Sequence, residues 1–252
     1  MRWNAFWLAL KGMPRGLWSV NKLVIKLSIF ITVASTTVFI LNSYLPINQL
    51  LASSIITPWG VVTSIVAHAS VAHITLNLIF LWAWTFLIAM QNDILKYSVL
   101  SKEEISKRLK FSMWSVLAAA ILADILWSIV LHPGSTSLGS SGVVYGFVGV
   151  SFAFALMNVS FVFKRMKRSD LRSMVGIVNI AGNLLMNFMI FFFIYGMVSN
   201  ASSFFGVGDP QTNYFVHIVS FMISFFAVLA YEYYLFHLPT LVKNFRNYKS
   251  ML

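Results

Sequence analysis

Residues 138–162 read LGSSGVVYGFVGVSFAFALMNVSFV. From Ser141 onward this is an apolar run long enough to cross about 30 Å of hydrocarbon at about 1.5 Å per residue. Its mouth, residues 138–146, nevertheless holds two serines and three glycines, at a depth where lipid offers no water to satisfy a hydroxyl. The rest of the chain is as apolar: of 252 residues, 59% are hydrophobic and 10% charged. That is too much apolar surface for an ordinary soluble domain, and an integral membrane protein is expected. The chain has no cysteine, which excludes disulfides and thiolate metal sites.

Together with 141–162, stretches near 27–45, 71–91, 112–132, 174–197 and 214–236 are long and apolar enough to span a bilayer. The 18 Lys and Arg fall five in 1–26, five in 96–110, five in 164–172 and three in 243–249, and the connections 46–70, 133–140 and 198–213 carry none. The positive-inside rule then predicts an all-α bundle of six transmembrane helices with both termini cytoplasmic, in the cell's plasma membrane. The formal net charge of +11 is a topology signal, and no nucleic-acid partner is needed to explain it. One six-span body, 27–236, is flanked by an interfacial N-terminal segment, 1–26, and a basic cytoplasmic tail, 237–252. Trp3, Phe6, Trp7 and Leu10 recur near helical spacing among Arg2, Lys11 and Arg15, which suits a helix lying on the inner leaflet. Ser101 and Glu104 have capping-box spacing, so a short solvated helix is expected to start there. The asparagines of NVS (Asn158) and NAS (Asn200) match glycosylation acceptors, of which only Asn200 is expected to face outward.

The outer ends of the spans collect polar groups: His68, His73 and Asn77, then Asp124 and His132, then Ser141, then His217. Such groups face a bundle interior or a wet cavity, and their clustering on one side implies a site open outward. His73 and Asn77, four apart, share a helix face. Gly142 and Gly146 form a GxxxG pair suited to close helix packing, and Ser220 and Ser224 give the last span a small-residue stripe to receive it. Packing alone leaves Ser141 unexplained. A serine becomes a nucleophile when a neighbouring base takes its proton, and His217, opening another span on the same side, is the candidate. The segment PGSTSLGS, 133–140, cannot be a regular helix and is expected to be a re-entrant loop carrying water to Ser141. With Glu232 taken as the marker of the inner surface, His217 lies about 22 Å up the helix and roughly 8 Å below the outer surface. Asp124 is read either as a carboxylate orienting a histidine or as a hydrogen-bonded structural acid. His68 and His132 are expected at the rim or bonding loops, and His237 near the cytoplasmic interface.

HASVAHITLN (68–77) carries a His-x4-His-x3-Asn element, and GSSGVVYG (139–146) carries Gly-x-Ser-Gly with a downstream Tyr. With His217 following in the last span, these motifs resemble rhomboid intramembrane proteases over roughly 55–236. The resemblance implies a rhomboid-like six-helix fold, Ser141 as nucleophile and His217 as general base without a necessary carboxylate. It also implies Tyr145 packed on the imidazole, an oxyanion hole of His73, Asn77 and the Ser141 N–H, and support from Gly139, Gly142 and His68. The implied activity is a serine endopeptidase without cofactor or metal, cutting transmembrane protein substrates near the outer end of their single helix. Two departures stand out: Ser220 replaces the usual glycine three residues after the histidine, and the first outer connection lacks the Trp-Arg pair of many members. A catalytically inactive rhomboid-like protein that binds membrane proteins for quality control is the competing reading, although such proteins typically lose the serine or histidine that this chain keeps. A transporter or histidine-ligated metal enzyme has only Asp124 and the outer histidines in its favour, and HExxH is absent.

Overall fold

The computed structural model describes residues 3–98, 100–132, 135–165, 174–200 and 213–249, with side chains described within 21–93, 100–132, 135–161, 180–196 and 213–235 and at 177, 199 and 200. The side chains of the N-terminal aromatic stripe, of the basic clusters at 164–172 and 243–249, and of His237 lie outside the described residues. Among those described, the chain is almost wholly helical, and a lone antiparallel bridge joins Ser53 to Ser137. The helices are α1 (Trp3–Asn42), the short α2 (Ile47–Leu51) and α3 (Gly60–Thr63) with a 3-10 turn at Ser64–Val66, α4 (Val71–Ser98) and α5 (Lys102–Ile125). A π-helix at Leu126–Leu131 extends α5, and α6 (Ser141–Arg165), α7 (Met174–Ser199) and α8 (Tyr214–Lys249) follow.

Segments of α1, α4, α5, α6 and α8 are long and apolar enough to cross a membrane, and α7 contributes the shorter apolar stretch Ile180–Gly196. This is the multi-pass helical bundle expected, with two boundaries moved. The first span starts at Asn21 rather than 27, where φ −98° and ψ 15° break helical geometry and kink α1. Asn21 Nδ2 donates to the Ala89 carbonyl at 3.1 Å, so the kink is held by α4. The capping box at Ser101 does form, Glu104 N–H donating to Ser101 Oγ at 3.2 Å and Ser101 N–H to Glu104 Oε2 at 2.8 Å. The helix it starts is no separate solvated connector; it continues as α5 into the bundle.

Helix α6 is the core. Its span is 78% buried, against 22% to 39% for the other four, and it packs on α4, α5, α7 and α8. Large apolar side chains such as Phe30, Ile79, Phe188, Phe192 and Phe226 stay exposed on the outer helices, as a lipid-facing surface requires. The contact of α6 with α8 is backbone-close. A Cβ on Gly142 would lie 3.3 Å from Ser220 Oγ, one on Gly146 would lie 3.1 Å from Ser224 Oγ, and one on Gly149 would collide with the Phe221 carbonyl. The first two pairs keep the same sequence offset, so the helices run parallel with both N-termini at one end. Ser220 in place of glycine therefore fits.

At the other end, Arg108 is fully buried. Its Nε donates to Glu232 Oε1, Nη1 to Asn92 Oδ1 at 3.2 Å and Nη2 to Asn158 Oδ1 at 2.7 Å, while its guanidinium lies 3.6 Å over the Phe154 ring. Glu232 thus does not mark the inner surface; it is wholly buried as the counter-ion that lets Arg108 enter the bundle. The Asn158 acceptor site is likewise internal. Removing one member of a buried pair leaves an uncompensated charge and costs about 3 to 5 kcal/mol, whereas apolar replacement of both is often tolerated. Arg108→Met and Glu232→Met should each sharply lower the unfolding temperature in detergent, and the double variant should recover much of the loss. Equal losses that simply add would show that the two do not act as a pair.

Candidate active site

Ser141 opens α6, where it is partly accessible, and His217 lies in the first turn of α8, where it is buried. The small-residue contact brings these two turns side by side. Gly142, next to Ser141, meets Val216 and Ser220, which flank His217, with a Cβ there only 3.2 Å from Val216 Cγ1. Tyr145, one turn after Ser141, stacks on the His217 ring with centroids 4.1 Å apart and planes 17° from parallel. Asn213 caps α8, its Oδ1 accepting the Val216 N–H at 3.2 Å and its carbonyl the His217 N–H at 3.4 Å.

The loop before Ser141 approaches α4. Gly139 adopts φ +115°, a conformation open to glycine and strained for other residues. The position is crowded as well: a Cβ there would lie 2.7 Å from His73 Nε2 and 3.4 Å from Asn77 Nδ2. The two polar side chains of α4 therefore face the backbone that leads into Ser141. Asn77 is buried, and its Nδ2 has no hydrogen-bond partner among the described residues. A buried unpaired donor costs about 1 to 3 kcal/mol, and packing alone does not repay it.

The 135–140 segment is irregular backbone, as expected, and is stitched to neighbouring loops. Ser137 exchanges backbone bonds with Ser53 at 3.0 Å each, and Gly139 N–H donates to the Ser64 carbonyl at 2.9 Å. Asp124 accepts from Ser64 Oγ at 2.6 Å and Ser137 Oγ at 2.7 Å, and no histidine bonds its carboxylate among the described residues. This agrees with the structural-acid reading. His132 is exposed and packs on Trp127, ring centroids 4.0 Å apart. Among the described residues, no three His, Asp or Glu side chains are arranged to hold a metal ion. Ser64, Ser137, Ser140 and Asn213 were not distinguishable in the sequence, since their roles arise from partners 13 to 76 residues away.

His68 sits just before α4 and, of its two expected places, takes the loop-bonding one, fully buried. Its Nε2 accepts the Ser140 N–H at 3.4 Å and lies 3.3 Å from Ser140 Oγ, so the ring proton belongs on Nδ1, which faces the Val66 carbonyl at 3.3 Å. Burial, reinforced by His73, pushes its pKa from 6.5 down to about 4. The unfolded chain therefore binds this proton first, and the His68 contribution to stability is full above about pH 6.5 and is lost as pH falls toward 4, at most about 1.4 kcal/mol per unit. Unfolding temperatures of detergent-solubilised protein should fall across that window, and His68→Gln should flatten the decline. An unchanged slope in the variant would assign the acid sensitivity elsewhere.

The site's elements, α4 with His73 and Asn77, the loop into α6, and α8, all lie in one continuous region of sequence similarity. A family model described as Rhomboid domain matches residues 57–234, well over half of the chain. No curated protein matches the sequence. A multi-pass helical bundle that matches this model from Thr57 to Tyr234 is a member of that group: the chain belongs to the rhomboid family of integral membrane proteins.

Proposed function

We propose that this protein is an intramembrane serine endopeptidase using a Ser141–His217 dyad. The observation that carries the reading is the side-by-side packing of the first turns of α6 and α8, with Tyr145 stacked on His217 and Gly142 closed against Val216 and Ser220. In this reading His217 removes the Ser141 hydroxyl proton as Oγ attacks a substrate carbonyl, then gives that proton to the leaving amine. Water, deprotonated by the same imidazole, hydrolyses the acyl-enzyme and regenerates Ser141. The oxyanion formed in each step accepts from the Ser141 N–H, from Asn77 Nδ2 and from His73. Each such donor contributes about 2.7 to 4 kcal/mol in a preorganised site. Asn77's buried, unpaired N–H group supports this role, and Gly139 and His68 support it by holding the loop between donors and nucleophile.

The substrates we propose are single-span membrane proteins cut near the outer end of the transmembrane helix. The basic connections set both termini in the cytoplasm and the dyad toward the outer face of the plasma membrane, with 27–236 as the catalytic body between the 1–26 and 237–252 extensions. A hydrogen-bonded helix hides its carbonyls, so cleavage favours a stretch that Gly or Pro lets unwind.

Purified protein should cleave a panel of single-span reporters near their outer ends, and Ser141→Ala and His217→Ala should each abolish cleavage while remaining folded. The two losses should be non-additive, because the residues act as one unit. A serine-directed phosphonate should label Ser141, and chelators should leave activity intact. Absence of both label and cleavage in the native chain would favour the inactive, membrane-protein-binding reading.

The oxyanion assignment has a separate signature. Asn77→Ala should lower kcat by about 100-fold or more without eliminating it, and His73→Ala should act in the same direction. Because Asn77 Nδ2 is buried without a partner, Asn77→Ala should unfold at no lower a temperature than the native protein. A variant that is destabilised and retains its native kcat would make Asn77 a packing residue.

A further inference from the structure

Asp124 is a buried acid that neither the dyad nor the oxyanion hole uses. Its two carboxylate oxygens divide their bonds: Oδ2 accepts from Ser64 Oγ and Oδ1 from Ser137 Oγ. Each serine leads to one half of the proposed catalytic pair. Ser64 turns its carbonyl to the Gly139 N–H, two residues before Ser141. Ser137, whose one hydroxyl proton is committed to Asp124, accepts at its oxygen from Asn213 Nδ2 at 3.4 Å. Asn213 in turn caps α8 and receives the His217 N–H on its carbonyl.

A third set of bonds fixes the acid itself. The Asp124 carbonyl accepts from Ser128 Oγ at 2.6 Å, and Ser128 Oγ pairs with Ser53 Oγ at 2.6 Å. Ser53 is the residue that forms the backbone bridge with Ser137. Two routes therefore converge on the same loop from one turn of α5, just where it passes into the π-helix.

On the reading that Ser141 and His217 form the dyad, we infer that Asp124 is a positioning residue that sets the separation of nucleophile and base from a distance. It bonds neither. It holds the loop entering α6 through Ser64 and Ser137, and the cap of α8 through Ser137 and Asn213. A carboxylate suits the position because it accepts from two hydroxyls at once and so fixes the direction of the chain from Asn213 through Ser137. An apolar side chain of similar size would leave both hydroxyls free to turn and would release the loop from the cap.

The test uses the full chain in detergent, with three readouts: the rate at which a fluorophosphonate labels Ser141, kcat and KM for a single-span reporter, and the unfolding temperature. Asp124→Leu should slow labelling and lower kcat by about tenfold or more, since small misplacements of reacting groups are costly. KM should stay within about twofold, because substrate binding is untouched. Asp124→Asn, which keeps an acceptor for Ser137 and can donate to Ser64, should recover most of the rate. Ser137→Ala should slow labelling too, and Asp124→Leu with Ser137→Ala should be no slower than Asp124→Leu alone. If Asp124→Leu does not fold, Ser137→Ala and Asn213→Ala carry the same test, both being expected to slow labelling. Native labelling rates in folded variants, or losses that multiply in the double variant, overturn the inference while leaving the dyad intact. A native chain that takes no label at Ser141 overturns the dyad itself, and the positioning role falls with it.

Discussion

The contact between α6 and α8 is the constraint on which the rest of the structure depends. Helices in lipid gain little from burying apolar side chains against each other, since the tails are as apolar as leucine; close packing and polar bonds must hold them. Here closeness comes from Gly142, Gly146 and Gly149, each placed where a Cβ would press on α8. Because the two helices run parallel, their first turns meet at the same level. Ser141 and His217 stand in those turns, and no loop is needed to carry either residue to the other.

Two clusters of polar bonds lie toward opposite ends of the bundle. Near the Ser141 end, His68, Ser64, Ser137 and Asp124 satisfy irregular backbone that could not exist against lipid. Toward the other end, Arg108 joins Asn92, Asn158 and Glu232, and so ties α5 to α4, α6 and α8. Between them α6 buries apolar side chains such as Phe147 and Val150, beside the hydrogen-bonded pair Gln91 and Ser151. Register between α6 and α8 is thus held at both extremities. The Arg108 clasp resists sliding along the axis, while the glycine contacts set the distance across it.

Much of this was legible before any coordinates. Apolar run lengths and the segregation of basic residues announced a multi-pass helical bundle, because hydrocarbon thickness and backbone satisfaction leave few alternatives. The small-residue stripe of Ser220 and Ser224 was legible as the surface that receives the glycines, and the stacking of Tyr145 on His217 matches what the family resemblance implied. The misreadings share one cause. Glu232 was taken for a surface marker and Arg108 for part of a solvated connector. A charged or titratable side chain looks exposed in a sequence, and only a partner makes its burial tolerable.

Those partners are distant along the chain: Arg108 and Glu232 are 124 residues apart, His68 and Ser140 are 72, Asp124 and Ser64 are 60. The sequence by itself determined which segments are helices in a membrane, which faces are small, and which serine, histidines and asparagine could share an end of the bundle, since these follow from local composition and period. Tertiary structure alone decided that Asp124 would hold serines rather than a histidine, that Arg108 could lie in the interior, and that Asn77 would keep an N–H group unpaired beside Gly139. The physical reason is that a buried polar group is defined by the bonds it makes, and in lipid those bonds come from whichever helix the packing brings within about 3 Å.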